Sequence, residues 1–417
     1  MRIVSTLALA LAIGGMGIAA PALAKKEPKA APVKYTPAVQ NALAAAQKAL
    51  AANDLATAQA KIAEAKPLVA TDDDRYITGS LQYQLGQKNK DQAMINEAID
   101  MMAASGKAPA EQQQQLLVIQ GKLAYQAKDY RKAETALVAA QKAGSTDADL
   151  VPVLVSSMAN NGETLQALQT LNTAIDQSTA AGKPAPVEWY QQGISAGYRA
   201  KGAPADLAAI HDATTELTKK WVTSYPTKSN WHDTLAIYRD SYKVPTDVQI
   251  DIFRLLRAAG ALLGDADYRE YAQDVYLRYP NEAMTVLQEG SSKGVVNLTA
   301  KNDAAEILGI VKAKVAADKA SLPAADKSAR AAANGKAALS TADAYAGYGM
   351  YAQAIDLYKV AITKGGIDAP TAGLRMGWAQ ALSGDTAGAK QSFATVTGIR
   401  KPLADFWTIH LDHPTVG

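Results

Sequence analysis

Apolar residues recur three and four places apart along most of the chain, in segments such as PAVQNALAAAQKALA and DYRKAETALVAAQKA. That spacing lays one apolar stripe along an α-helix, and the Ala, Gln, Leu and Lys that dominate these segments are strong helix formers. No clean alternating run of β-branched residues bounded by Asn-Gly or Asp-Gly occurs, so the pattern predicts an all-α chain.

The helical segments also repeat. With Ala133 as an anchor, Gly121 lies twelve before it, Tyr130 three before, Leu137 four after and Ala140 seven after. Ala167 stands 34 residues on, followed by Leu171 and Ala174 at the same offsets. Ala354 (with Tyr351, Tyr358 and Ala361) and Ala389 (with Gly377, Phe393 and Val396) stand 35 apart near the C-terminus. Ala58, with Leu55, Ile62 and Ala65, anchors an early unit, and a degenerate one is expected around Gln92, 34 later. Small residues at fixed offsets let two helices approach closely while the larger ones fill the space beside the crossing. Lys128-Asp129 and Gly384-Asp385 suit a short turn and a capped helix start.

These units resemble the tetratricopeptide repeat, a helix–turn–helix unit of 34 residues, in a divergent form that lacks most of that family's Trp and Pro positions. The resemblance implies an all-α helical-repeat solenoid of antiparallel helix pairs. The repeats are expected over 38–184 and again over 339–417. Between them, 185–318 reads as an atypical helical segment rich in aromatics: ten of the chain's 26 fall in 221–280. The Ala- and Lys-rich stretch 319–338 reads as a boundary linker.

The N-terminus changes the picture of where the protein works. Arg2 precedes a mostly apolar run from Ile3 to Ile18, and Ala22 and Ala24 form the A-x-A pattern of a signal peptide, with cleavage expected after Ala24. Residues 25–37 (KKEPKAAPVKYTP) read as a flexible leader. The expected location is the periplasm or extracellular space of a bacterium, with no integral membrane segment after cleavage. The chain has no cysteine, which excludes disulfides, thiolate metal sites and cysteine nucleophiles. Forty-three basic against 40 acidic residues leave a formal charge of +3, too balanced to predict nucleic acid as partner.

Candidate chemistry is sparse. GISAG at 193–197 matches the G-x-S-x-G elbow around Ser195, but PVEWYQQ before it is not an apolar strand, and small residues at a helix crossing explain it better. HLDH brings His410, Asp412 and His413 together without a third strong ligand before Pro414. Asp72, Asp73 and Asp74, like Asp265 and Asp267, lack calcium-loop spacing and suit helix starts. No phosphate-binding glycine loop is present. The expectation is a non-enzymatic scaffold of the cell envelope, with no cofactor and no metal, binding another envelope protein or peptide on a concave face. In a helical-repeat stack the first helix of each pair lines that face. Register then puts Lys122, Tyr125, Tyr190, Tyr198 and Trp378 on it, the aromatics as anchors. The alternative is a glycan- or small-ligand-binding periplasmic protein using the aromatic central segment. A third reading is an enzyme with its site in 185–300.

Overall fold

The computed structural model describes residues 35–299 and 301–416. The expected signal peptide at 1–24, and the leader as far as residue 34, lie outside the described residues. The end of that leader is not loose: the Thr36 amide donates to Asp74 Oδ1 at 3.0 Å, and Pro37 opens the first helix. Among the described residues there is no strand, only an isolated bridge between Thr227 and Val416. The chain divides into two compact units, residues 1–163 and 164–417. Both are built from antiparallel helix pairs, so the protein is an all-α helical-repeat protein.

Unit 1 holds α1 (Pro37–Ala51), α2 (Leu55–Ala65), α3 (Asp72–Asn89), α4 (Gln92–Ser105), α5 (Ala110–Gln126), α6 (Tyr130–Lys142) and α7 (Leu150–Asn160). One turn recurs between the helices of a pair. Asn53, Lys90 and Lys128 each adopt positive φ, and the next residue, Asp54, Asp91 or Asp129, caps the following helix with its carboxylate. Each of those aspartate amides also bonds back five residues, to Ala49, Gly86 or Ala124. This is the left-handed helix stop that satisfies orphan carbonyls, followed at once by an N-cap that satisfies orphan amides.

The anchor alanines Ala58 and Ala133 sit four residues after that capping aspartate and are fully buried. Gly121 explains its own size: a Cβ there would lie 2.5 Å from Leu137 Cγ. The unit expected around Gln92 is shifted. Gln92 is the exposed first residue of α4, and four after its cap, Asp91, comes Ile95, whose Cγ1 would meet a Cβ on Gly86 at 2.9 Å. Because the turn before α4 sets the register, the anchor there is Ile95 and not the residue 34 after Ala58.

Unit 2 holds α8 (Thr164–Ala180), α9 (Val187–Tyr198), α10 (Pro204–Ser224), α11 (Lys228–Tyr242), α12 (Thr246–Ala258), α13 (Asp265–Val275), α14 (Pro280–Ser292), α15 (Asp303–Ala331), α16 (Lys336–Gly347), α17 (Tyr351–Lys364), α18 (Ala369–Leu382), α19 (Thr386–Ala394) and α20 (Lys401–Asp412). The stretch 319–338, expected as a linker, is helix through Ala331 with Pro323 inside it, and α16 starts at Lys336. Its many alanines and lysines are helix formers, and composition alone misread it. The aromatic-rich segment is helical, and several of its rings are core: Trp231, Tyr238, Tyr268 and Tyr271 are buried.

The row of helices in unit 2 closes on itself. Lys219 of α10 pairs with Asp405 of α20 at 2.8 Å, Trp231 of α11 meets Phe406 edge-on at 6.3 Å, and the Tyr238 hydroxyl donates to the Ile399 carbonyl. The Val416 amide completes the closure by donating to the Pro226 carbonyl at 2.9 Å.

Candidate functional site

The five side chains picked out by register are divided between the two units, Lys122 and Tyr125 in unit 1 and Tyr190, Tyr198 and Trp378 in unit 2. In unit 1, Lys122 of α5 spans to the start of α7, its Nζ 2.7 Å from Asp149 Oδ2 and 3.1 Å from Asp147 Oδ1. Burial works against its charge, but the two aspartates outweigh that and raise its pKa. Tyr125, one turn on, is half-buried with its ring 5.5 Å from Tyr130. Across the same row the Tyr76 hydroxyl of α3 donates to Gln112 Oε1 of α5 at 2.8 Å.

In unit 2, Tyr190 is a core residue, fully buried against Tyr225 with its hydroxyl 3.2 Å from Ser224 Oγ. It cannot serve as a surface anchor, because α9 turns that side toward α10. Tyr198, at the end of α9, is 54% exposed and reaches Asp240 at 3.5 Å. Trp378 of α18 lies under the Arg254 guanidinium, 4.2 Å from its carbon, and forms part of a cavity wall. Trp221 and Trp231 are also buried, while Trp189, Tyr225, Tyr242 and Tyr276 of the aromatic segment are half-buried.

GISAG lies inside α9. A Cβ at Gly193 would come within 2.4 Å of Leu217 and 2.5 Å of Leu171, and one at Gly197 within 2.0 Å of Thr214 Oγ1. These glycines make room for neighbouring helices. In HLDH, His410 packs between Trp231 and Trp407, ring centroids 5.6 and 6.1 Å away, while Asp412 pairs with Lys390.

The centre of unit 2 is occupied by charge. Arg254 of α12 holds Glu282 of α14 through two bonds of 2.9 Å and reaches Asp251 at 3.0 Å. Arg375 of α18 bonds Asp251 at 2.9 Å and Asp343 of α16 at 2.6 Å, and Arg400 reaches Asp251 at 3.2 Å. Tyr279 and Tyr358 donate to Asp343, and Tyr271 donates to Glu282. All six charged groups are buried. Burial alone would push Asp251 and Glu282 up; the guanidiniums overcome it and hold both carboxyls below their ordinary values. Removal from water costs ionised groups several kcal/mol each, so such a layer persists only because every group in it is paired.

Above this layer lies a cavity of about 410 Å³, lined among others by Arg257, Asn281, Glu289, Tyr348, Tyr351 and Trp378. A second opening, about 380 Å³, borders Arg278, Lys336, Asp343 and Arg375. Register reasoning reached Trp378 but not the ionic layer. Its signal was present in DVQIDIFRLLRAAG, where Asp251 and Arg254 sit three apart among Ile250, Ile252, Phe253 and Leu255.

No protein-family model matches the chain, and no curated protein matches it. Among solved structures it is similar to the TPR2AB-domain:pHSP90 complex of yeast Sti1, at 16% identity over 72% of this chain and 96% of that one, with a TM-score of 0.23. It is also similar to Naa15/Naa10 bound to HypK-THB, at 13% identity over 88% of this chain and 58% of that one, with a TM-score of 0.26. The helix pairs themselves, with their shared turn and anchor, carry the architecture. Among the described residues no helix is long and apolar enough to cross a membrane.

Proposed function

We propose that this chain is an exported, non-enzymatic interaction scaffold of the bacterial cell envelope, docking an extended or helical segment of another envelope protein on the first-helix row of unit 1. The supporting observation is that row: α3 carries half-exposed Tyr76 and α5 carries half-exposed Gln112, Lys122 and Tyr125, and the Tyr76–Gln112 and Lys122–Asp149 bonds tie α3 to α5 and α5 to the start of α7. A row of this kind offers amphipathic side chains, already held in place, to a partner's side chains and backbone. In unit 2 the corresponding helices α12, α14, α16 and α18 are filled by the ionic layer, which favours unit 1 for a peptide-sized partner. The exported location rests on the Ala22-x-Ala24 pattern and the apolar run before it.

In-cell cross-linking followed by mass spectrometry tests the reading. Links from one specific partner are expected to map to α3, α5 and α7, and to weaken in a Tyr125→Ala, Lys122→Ala double variant. A partnerless result, or links indifferent to that variant, sinks the scaffold reading. Fractionation tests the location: a mature chain beginning at Lys25 outside the cytoplasm is expected, and an intact Met1 in the cytoplasm contradicts it.

A further inference from the structure

We infer that the 410 Å³ cavity of unit 2 is a binding site for a small monocarboxylate whose body is a ring. Its size falls in the range of about 300–1,000 Å³ typical of small-molecule sites. The inference is independent of docking on unit 1.

The floor of the cavity is spent. Arg254 and Glu282 satisfy each other, Tyr271 closes a remaining position on Glu282, and stacking on Trp378 holds the guanidinium flat. These groups shape the site without reaching for a ligand.

The wall is different. Arg257 donates through Nε to Glu289 Oε2 at 2.7 Å, and its two terminal nitrogens have no acceptor among the described residues. The hydroxyl of half-buried Tyr351 also has no partner among them. Burial raises its pKa, and it lines the same cavity as Arg257. Asn281 spends one of its two amide hydrogens on the Gly347 carbonyl at 2.8 Å and keeps the other and its oxygen. Open donors therefore outnumber open acceptors, and the ligand has to accept.

Charge narrows the class further. Arg254 and Glu282 cancel. Lys293, an exposed cation outside the cavity lining, also pairs with Glu289 at 2.8 Å, so Arg257 on the wall shares its one carboxylate with a second cation. One negative charge restores balance, and a carboxylate matches the planar edge of a guanidinium. Ala258, Ala346, Leu382, Tyr348 and Trp378 give the rest of the lining an apolar and aromatic character for the body of the ligand.

The test is titration of the full chain, followed by ligand-observed NMR, with two matched pairs: benzoate against benzyl alcohol, and glucuronate against glucose. One acid is expected to bind about tenfold more tightly than its neutral counterpart, the size of one charge-assisted contact. Which acid does so identifies an aromatic or a sugar body. Arg257→Gln is expected to erase the acid's advantage, and Tyr351→Phe, which removes a hydroxyl with no protein partner and so spares the fold, to weaken acid binding about threefold. Equal binding of acids and neutral partners, no binding of either acid, or acid binding unmoved by both variants overturns the inference.

Discussion

Arg400 Nε lies 3.2 Å from Asp251 Oδ2, joining residues 149 positions apart in the chain. Asp251 also accepts from Arg254 and Arg375, so one buried carboxylate ties α12, α18 and the segment before α20 into the closed row of unit 2. Asp251→Asn keeps the volume and removes the charge that three buried guanidiniums share. Breaking a buried ion pair by removing one partner costs about 3–5 kcal/mol. A fall of that size in unfolding free energy is expected from denaturant titration, with protection from hydrogen exchange lost first in α18 and α20. A variant as stable as the parent would mean that the layer does not hold the closure.

A second expectation concerns the helix crossings. A Cβ on Gly377 would lie 2.4 Å from Phe393 Cε1, as one on Gly121 would crowd Leu137. Gly377→Ala gains helix propensity but forces the ring aside, and overpacking costs about 1–3 kcal/mol. Net destabilisation is expected, partly relieved by Phe393→Leu in the same chain. If Gly377→Ala raises the melting temperature, the crossing is looser than this contact implies.

What the sequence made legible follows from distance along the chain. The turn between paired helices is local: a residue able to take positive φ, then an aspartate, then an apolar run, readable at Lys128-Asp129 and Gly384-Asp385. The anchors four residues beyond were readable for the same reason, and Gln92 failed because counting from Ala58 ignored the nearer punctuation at Lys90-Asp91. Tyr190 was misplaced because register names the helix face but not what packs against it, and α10 packs there. The closure of unit 2 joins Asp251 to Arg400 and Lys219 to Asp405, pairs that no periodicity connects. Only Asp251 and Arg254, set among Ile250, Ile252, Phe253 and Leu255, hinted that charge is buried there.

The capping aspartates make a graded test of the shared turn. Asp129 accepts the Lys132 amide at 3.1 Å, and Asp385 accepts the Gly388 amide at 2.9 Å. Loss of an N-cap to alanine costs about 1 kcal/mol. Asp129→Ala and Asp385→Ala should each lower stability by about that amount, with faster amide exchange confined to the first turn of α6 or α19. The two losses should add, since the sites share no partners. A loss several times larger would mean that the turn does more than end one helix and start another.

Two half-buried histidines of unit 2, His410 and His232, should pull stability in opposite directions with pH. His410 sits against Trp231 and Trp407 with Nδ1 buried and unpartnered, and burial lowers its pKa. The unfolded chain, with an ordinary value near about 6.5, then binds the proton first as pH falls. The His410 contribution is therefore complete above about pH 6.5 and is lost as pH drops below it. His232 is the reverse: its bond to Asp267 raises its pKa, so its contribution is present below about pH 6.5 and fades as pH rises through the folded value. Urea midpoints at about pH 5.5, 6.5 and 7.5 separate them. His410→Leu should raise the acid-side midpoint relative to the neutral one, and His232→Gln should lower it. Parallel pH profiles for His410→Leu and the parent chain would show that the unfolded and folded states hold that proton alike.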